Sequence, residues 1–350
     1  MVNSIIKNDL NTKIQIISSP PDGTSTGEPN KSLKLNPIEI QKSTNLVVRS
    51  FKELIYSIKL SFKIDKNSTF QVYTIPSPLI LVGIYFRKSN FAIDVRDCSW
   101  DYIEKKGLFG KFASKFLKGI LRPIFKRATF ISCTNKFESQ SILRNFKRES
   151  IVIPNGIENS KYQKLIQMNH KASFMKDELK IIYAGNIGYA QSLITLVKST
   201  QNIKNINVEL IGEGAQKDYI NDYISNENIK NVKIFSSMGW ENLANKYLES
   251  DILYAQITKD FSSAIPTKIF EYIAMRKKIV LGLPDGPAKS IFSEFSGVFI
   301  HEPENIKDCI YAINLAKESH KPDIIINNLL LKNYIRENFE QVFFNEIPKK

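Results

Sequence analysis

Twice along its 350 residues this chain runs short apolar segments into helical ones, and Pro154, Asn155 and Gly156 break the two series apart. Beyond the break the apolar segments are KIIYA (180–184), VELI (208–211), VKIF (232–235), ILYA (252–255) and IVL (279–281). Helical spacing fills 190–202, 215–225, 240–250, 266–276 and 287–294. Before the break, strands are expected at 13–18 (KIQIIS), 70–75 (FQVYTI), 91–95 (FAIDV), 130–134 (FISCT) and 151–154 (IVIP). A helix is expected over 46–62, and 19–37 reads as a loop rich in Pro, Gly, Ser and Thr. Strands alternating with helices build a parallel sheet covered on both faces. The expected class is therefore α/β, with two Rossmann-like, doubly wound domains at 1–154 and 155–330. A terminal helix within 331–350 is expected to pack back toward the first. Ligands of such folds bind outside the carboxyl ends of the strands, here in a cleft that the two domains would face.

Hydrophobic residues make up 43% and charged residues 24%, the balance of a globular protein. Cys98, Cys133 and Cys309 are scattered without a CxxC pair, which points away from a zinc site or disulfide framework and toward a reducing cytosol. His170, His301 and His320 form no ligand cluster. Residues 1–12 lack the apolar segment of a signal peptide, and the run PLILVGIYF (78–86) is too short to span a bilayer. The net charge of +14 is uneven. Residues 1–160 hold 25 Lys/Arg against 13 Asp/Glu, a net of +12, while 161–350 hold 24 against 22, a net of +2. A basic first half implies an anionic surface opposite it. Nucleic acid is not expected, because no binding module or RNP-type aromatic sequence accompanies the charge.

The strongest local feature is SAIPTKIFEYIA (263–274). Pro266 suits the first turn of a helix, where its missing N–H would be unpaired anyway. The N–H groups that follow, around Thr267, would then offer an anion site, and Lys268 adds a full charge. A charge-assisted bond to phosphate contributes roughly 1.5–3 kcal/mol. Glu271, about one turn on, can accept hydrogen bonds from a ribose diol. The bland alternative is an ordinary helix with a proline start. In YAGNIGYAQ (183–191) a buried strand meets two glycines, and Gly185 and Gly188 allow close backbone approach to a ligand. LIGEG (210–214) is a third strand end with glycines, either a tight turn or a contact for a base.

In series, IVIPNGIE (151–158), KIIYAGNIGYAQSL (180–193), VELIGEG (208–214) and IPTKIFEYIAMRKKIV (265–280) resemble the carboxyl-terminal domain of glycosyltransferase family 4, retaining enzymes of the GT-B fold. The AGNIG stretch, Gln191 and PTKIFEY are similar to a bacterial branch that adds sugars, often N-acetylated amino sugars, in surface polysaccharide assembly. The resemblance implies a UDP-sugar donor, a lipid-linked or saccharide acceptor, no metal, and a cytoplasmic protein peripheral to the inner face of the membrane. It assigns the ribose to Glu271 and the diphosphate to Pro266, Thr267 and Lys268. Gly185, Asn186, Gly188 and Gln191 would form the facing loop, with Glu213 and Gly214 near the base. In the first half, Asp97 of DVRD (94–97) would approach the transferred sugar or the acceptor. Lys268, Glu271 and Asp97 are the candidate catalytic residues.

The chain departs from the family pattern in three places. Ser263 stands where many members carry a second glutamate, eight positions before Glu271. Asn186, Tyr189 and Gln191 stand where donor-site Arg and Lys are common. The first strand, glycine-rich loop and helix that open the fold have no counterpart, unless residues 1–12 replace them. These departures support a rival expectation, an inactive truncated member that keeps nucleotide-sugar binding or a scaffolding role.

Residues 105–127 (KKGLFGKFASKFLKGILRPIFKR) hold eight basic residues and no acid. At 100° per residue, Lys111, Lys115, Lys118 and Arg122 fall within about 60° of one another, with Phe109, Phe112, Phe116 and Ile120 on the far side. That pattern is expected of a helix lying on an anionic membrane, with Pro123 ending or kinking it. The competing expectation makes the phenylalanines the cover of the domain core.

Overall fold

A computed structural model of the chain describes residues 14–18, 33–37, 46–63, 70–75, 78–86, 90–104, 107–168 and 178–347. Lys105, Lys106, His170 and the segments 1–12 and 19–32, on which some expectations rest, lie outside the described residues. The chain divides into two compact units, Met1–Pro154 with Glu337–Lys350, and Asn155–Arg336.

In unit 1, β1 (Ile14–Ser18) pairs in parallel with β2 (Leu33–Pro37), a strand inside the expected loop. The helix α1 (Leu46–Lys63) follows, as its spacing predicts. A separate parallel sheet takes the order β3 (Phe70–Ile75), β4 (Asn90–Val95), β5 (Ile131–Cys133), β6 (Ile151–Val152). Its helices are α2 (Ser99–Glu104), α3 (Gly107–Arg127) and α4 (Lys136–Phe146), and the run PLILVGIYF forms a 3-10 helix before β4. Trp100 centres the core, edge-on to Phe125 at 5.9 Å and Phe146 at 5.0 Å, with its indole N–H donating to Ser141 at 3.0 Å. Asn135 and Glu138 cap α4 reciprocally: Asn135 accepts the Glu138 amide, and the Glu138 carboxylate accepts the Thr134 amide at 2.7 Å.

Unit 2 opens with α5 (Asn159–Met168) and then alternates: β7 (Leu179–Ala184), α6 (Ile194–Thr200), β8 (Ile206–Ile211), α7 (Lys217–Asn226), β9 (Val232–Phe235), α8 (Trp240–Glu249) and β10 (Ile252–Gln256). It continues with α9 (Lys268–Ala274), β11 (Lys278–Gly282), α10 (Pro287–Phe292), β12 (Val298–His301), α11 (Ile306–Glu318) and α12 (Ile324–Lys332). The sheet is wholly parallel in the order β12-β11-β10-β7-β8-β9. Successive residues face opposite sides: Ile181 and Tyr183 join one buried cluster, Ile182 and Ala184 the other. Strand order reverses between β7 and β10, which makes their carboxyl ends the switch point where such sheets bind ligands.

The last helix, α13 (Glu337–Asn345), belongs to unit 1, where Phe343 is fully buried against Phe130 at 5.1 Å.

Several boundaries differ from expectation. The helix expected from 190 starts at Ile194, because 188–193 form turns that include Ser192 at φ 40°. β12, α11 and α12 lie between the helix read at 287–294 and the expected terminal helix. Pro123 does not end α3, which runs four residues further with the ring exposed.

Candidate functional site

At the switch point β7 delivers the loop that follows Ala184. Gly185 sits at φ 142°, and a side chain there would overlap the Lys268 amine. Gly214 sits at φ 159°, where a side chain would overlap the Ile187 carbonyl, and one at Gly212 would overlap the Gly185 carbonyl, so the 185–188 and 212–214 loops pack backbone on backbone. The Ile187 amide donates to the Glu213 carbonyl at 2.8 Å.

The carbonyls of this loop turn inward. Asn186 accepts from the Tyr183 hydroxyl at 2.6 Å, Ile187 from the Gln216 amide at 2.9 Å and Ala190 from the Thr258 amide at 2.9 Å. Gly188 accepts the amides of Gln191 and Ser192 at 3.1 and 3.2 Å, and Gln256 holds the carbonyls of Gln191 and Ser192. Among the described residues, the amides of Gly188, Tyr189 and Ala190 donate to nothing. The loop thus offers three successive N–H groups, which suits an anion. Asn186 reaches over Gly188 to donate to the Gln191 side chain at 3.0 Å.

Lys268 comes to the same place from α9. Its amine lies 4.6 Å from the centre of the Tyr183 ring and donates to the Tyr183 hydroxyl at 3.2 Å. Its partners are thus an aromatic face and a phenol. Burial pushes the amine down to about 8, opposed by the Glu271 charge. In the turn before α9, Ile269 and Phe270 donate to the carbonyls of Pro266 and Thr267 at 3.3 and 3.2 Å. Among the described residues the amides of Thr267 and Lys268 have no backbone partner, so they remain beside the Lys268 side chain as donors open to an anion.

Glu271, half-buried on α9, lies 3.3 Å from the Lys161 amine of α5, which in turn sits 5.7 Å over the Trp240 ring. Glu213 is a surface residue paired with Lys217 at 2.9 Å.

The structure brings Gly185, Asn186, Gly188, Gln191 and Lys268 together, with Glu213 and Gly214 adjoining through Ile187 and Glu271 one turn further along α9. Tyr183, Lys161, Trp240 and Gln256 were not anticipated. Tyr183 and Gln256 leave a trace only as an aromatic and a polar residue in or at the end of the apolar runs KIIYA and ILYAQ, and Lys161 and Trp240 leave none.

In unit 1, the two carboxylates of DVRD differ. Asp94 is saturated, accepting from Ser132 at 2.7 Å, Arg96 at 2.7 Å and Thr74 at 3.2 Å. Asp97 keeps a buried oxygen with no hydrogen-bond partner among the described residues. Burial pushes it up to about 6, against a hydrogen bond from Tyr102. Glu138 close by is pushed up to about 7, chiefly by burial and also by the Asp97 charge.

Phe109, Phe112 and Phe116 of α3 are not core cover. Leu108, Phe109, Phe112 and Phe116 are 73–85% exposed, whereas Gly110, Ser114, Leu117, Leu121, Ile124 and Phe125 face the core. No helix among the described residues is long and apolar enough to cross a membrane.

The sequence of residues 167–329 matches the family described as Glycosyl transferases group 1. No curated protein matches the chain. Among solved structures, the chain is similar to an α,α-trehalose-phosphate synthase (UDP-forming) from Burkholderia xenovorans in complex with glucose-6-phosphate, at TM-score 0.70 and 11% identity over 99% of this chain and 95% of that one. It is similar to Anabaena Alr3699/HepE in complex with UDP and glucose, at TM-score 0.64 and 12% identity over 90% and 86%. The apo form of the lipopolysaccharide outer core galactosyltransferase WaaB aligns at TM-score 0.59 and 13% identity over 96% and 99%. The fold is GT-B, and the match to the group 1 family falls within unit 2.

Proposed function

We propose that this group 1 sequence on a GT-B fold is a retaining glycosyltransferase, moving a sugar from a UDP-linked donor to a lipid-linked or saccharide acceptor. The observation that carries the reading is the meeting of the Lys268 amine with the inward-turned loop at the β7–β10 switch point. Diphosphate oxygens accept from that amine and from the amides of Gly188, Tyr189 and Ala190, without a divalent metal. The ribose diol donates to Glu271, displacing Lys161. As the C1–O bond to the β-phosphate breaks, these donors stabilise the charge on the departing oxygen. An acceptor hydroxyl attacks C1 from the face the diphosphate leaves, and its proton passes to that oxygen. Asp97, held at about 6 on unit 1, serves the acceptor side. The resemblances support an N-acetylated amino sugar as donor and surface polysaccharide as destination.

Titration calorimetry with UDP and UDP-N-acetylhexosamines, followed by turnover in the presence of EDTA, tests the reading. Glu271→Ala is expected to weaken UDP at least tenfold. Unchanged affinity and turnover would sink it. Ser263, in place of a second glutamate, favours an alternative reading as a nucleotide-sugar binder without transfer. Binding with no turnover on any acceptor would select it.

Peripheral attachment at the cytoplasmic face of the membrane is the second part of the proposal. The exposed aromatic row of α3 beside Lys111 and Lys115 supports docking on anionic lipid.

A further inference from the structure

We propose that Gln256 is a positioning residue that sets the phosphate-facing loop at the switch point, an inference that rests on the donor site proposed above. Gln256 ends β10, the strand paired with β7, and is 1% exposed. Its Nε2 donates to the carbonyls of Gln191 and Ser192, each at 3.0 Å, and to the Thr195 hydroxyl at 3.2 Å. Its Oε1 accepts from the Tyr254 hydroxyl at 3.0 Å and the Glu304 amide at 3.2 Å.

These partners fix the side chain in one sense. The Glu304 amide can only donate, and the two carbonyls can only accept, so a flipped amide would set like groups against each other. The clamp therefore requires one donor end and one acceptor end at this length. A glutamate would present oxygen to two carbonyls. An aliphatic residue would leave the Gln191 carbonyl and the Glu304 amide without a partner, and the Ser192 carbonyl with only the Thr195 amide at 3.1 Å.

The loop needs such a clamp for two reasons. Ser192 lies at φ 40°, a region that a residue with a side chain keeps only where its surroundings hold it. More important for an anion, the Gln191 and Ser192 carbonyls are the negative ends of the peptides next to the free amides of 188–190. Tied to Gln256 they point into the protein. Released, they turn toward the diphosphate and oppose it.

The test compares Gln256→Leu and Gln256→Glu with the wild-type full chain by amide hydrogen exchange without ligand, and by calorimetric titration with UDP. Exchange across 185–195 is expected to rise at least tenfold in both variants while β8 keeps its protection, and UDP affinity is expected to fall at least tenfold. Should Gln256→Leu not fold, Gln256→Glu carries the test alone. Near pH 5 its carboxyl regains a proton to donate, so part of the loop protection should return. Wild-type exchange across 185–195 in a folded variant overturns the proposal, as does raised exchange with unchanged UDP affinity. A wild-type chain that binds no UDP overturns the donor site instead, and exchange still reads the clamp.

Discussion

Lys268 is an amine kept where its charge is poorly solvated. Because burial pushes it down to about 8, it is protonated below that value and loses its charge above it. UDP affinity should therefore fall as pH rises from about 7 to 9, and calorimetry in that window checks it. Lys268→Met should lose roughly 1.5–3 kcal/mol of binding, about 10- to 150-fold, and with it the pH slope. Folding responds in the opposite sense. A lysine lowered by burial is a cost that disappears as pH rises from about 8 toward the ordinary lysine value. The family resemblance brought Lys268, Glu271 and Gly185 into one candidate site, each standing in or beside a strand-to-helix turn. It could not supply Lys161, 110 positions from Glu271, or Tyr183, whose ring receives the Lys268 amine from 85 positions away. Side chains that meet only through sheet order leave no local periodicity.

At the scale of the element, α3 has three sectors rather than the two that a basic and aromatic wheel suggests. Small and aliphatic residues, Gly110, Ser114, Leu117 and Leu121, seat the helix on the core, and this leaves both the lysine row and the aromatic row outside. Wheel arithmetic found the last two rows, but not which side packs, because Gly and Ser carry little apolar weight. With each interfacial lysine contributing about 1 kcal/mol, the pair Lys111→Glu with Lys115→Glu should weaken binding to vesicles containing anionic lipid by at least 2 kcal/mol, roughly thirtyfold. Phe112→Glu should weaken it on neutral vesicles too. Flotation or sedimentation would read both, and wild-type binding by either variant would remove the membrane from the proposal. Other elements escaped the sequence reading for plain reasons. β2 (LKLNP) ends in Asn and Pro within a stretch rich in Pro, Gly, Ser and Thr, so it reads as loop, and β12 (VFIH) is an edge strand only partly buried.

For the whole molecule, the repeated alternation carried the fold, since buried parallel strands write themselves as apolar runs. Its division of labour rests on one tertiary detail that no local pattern encodes. The segment Glu337–Lys350 completes unit 1, and Phe343 fills its sheet beside Phe130. Phe343→Ala should destabilise that unit by about 3–5 kcal/mol while unit 2 keeps its own unfolding midpoint. Urea titration followed by separate probes in the two units would separate them, and a single shared loss would show that they unfold together. The same detail bears on how the chain is made. A ribosome releases all of unit 2 before it releases the helix that Phe130 waits for. The first unit translated is thus the last one finished, and for that interval its phenylalanine face is the part of the newborn chain that a chaperone would hold.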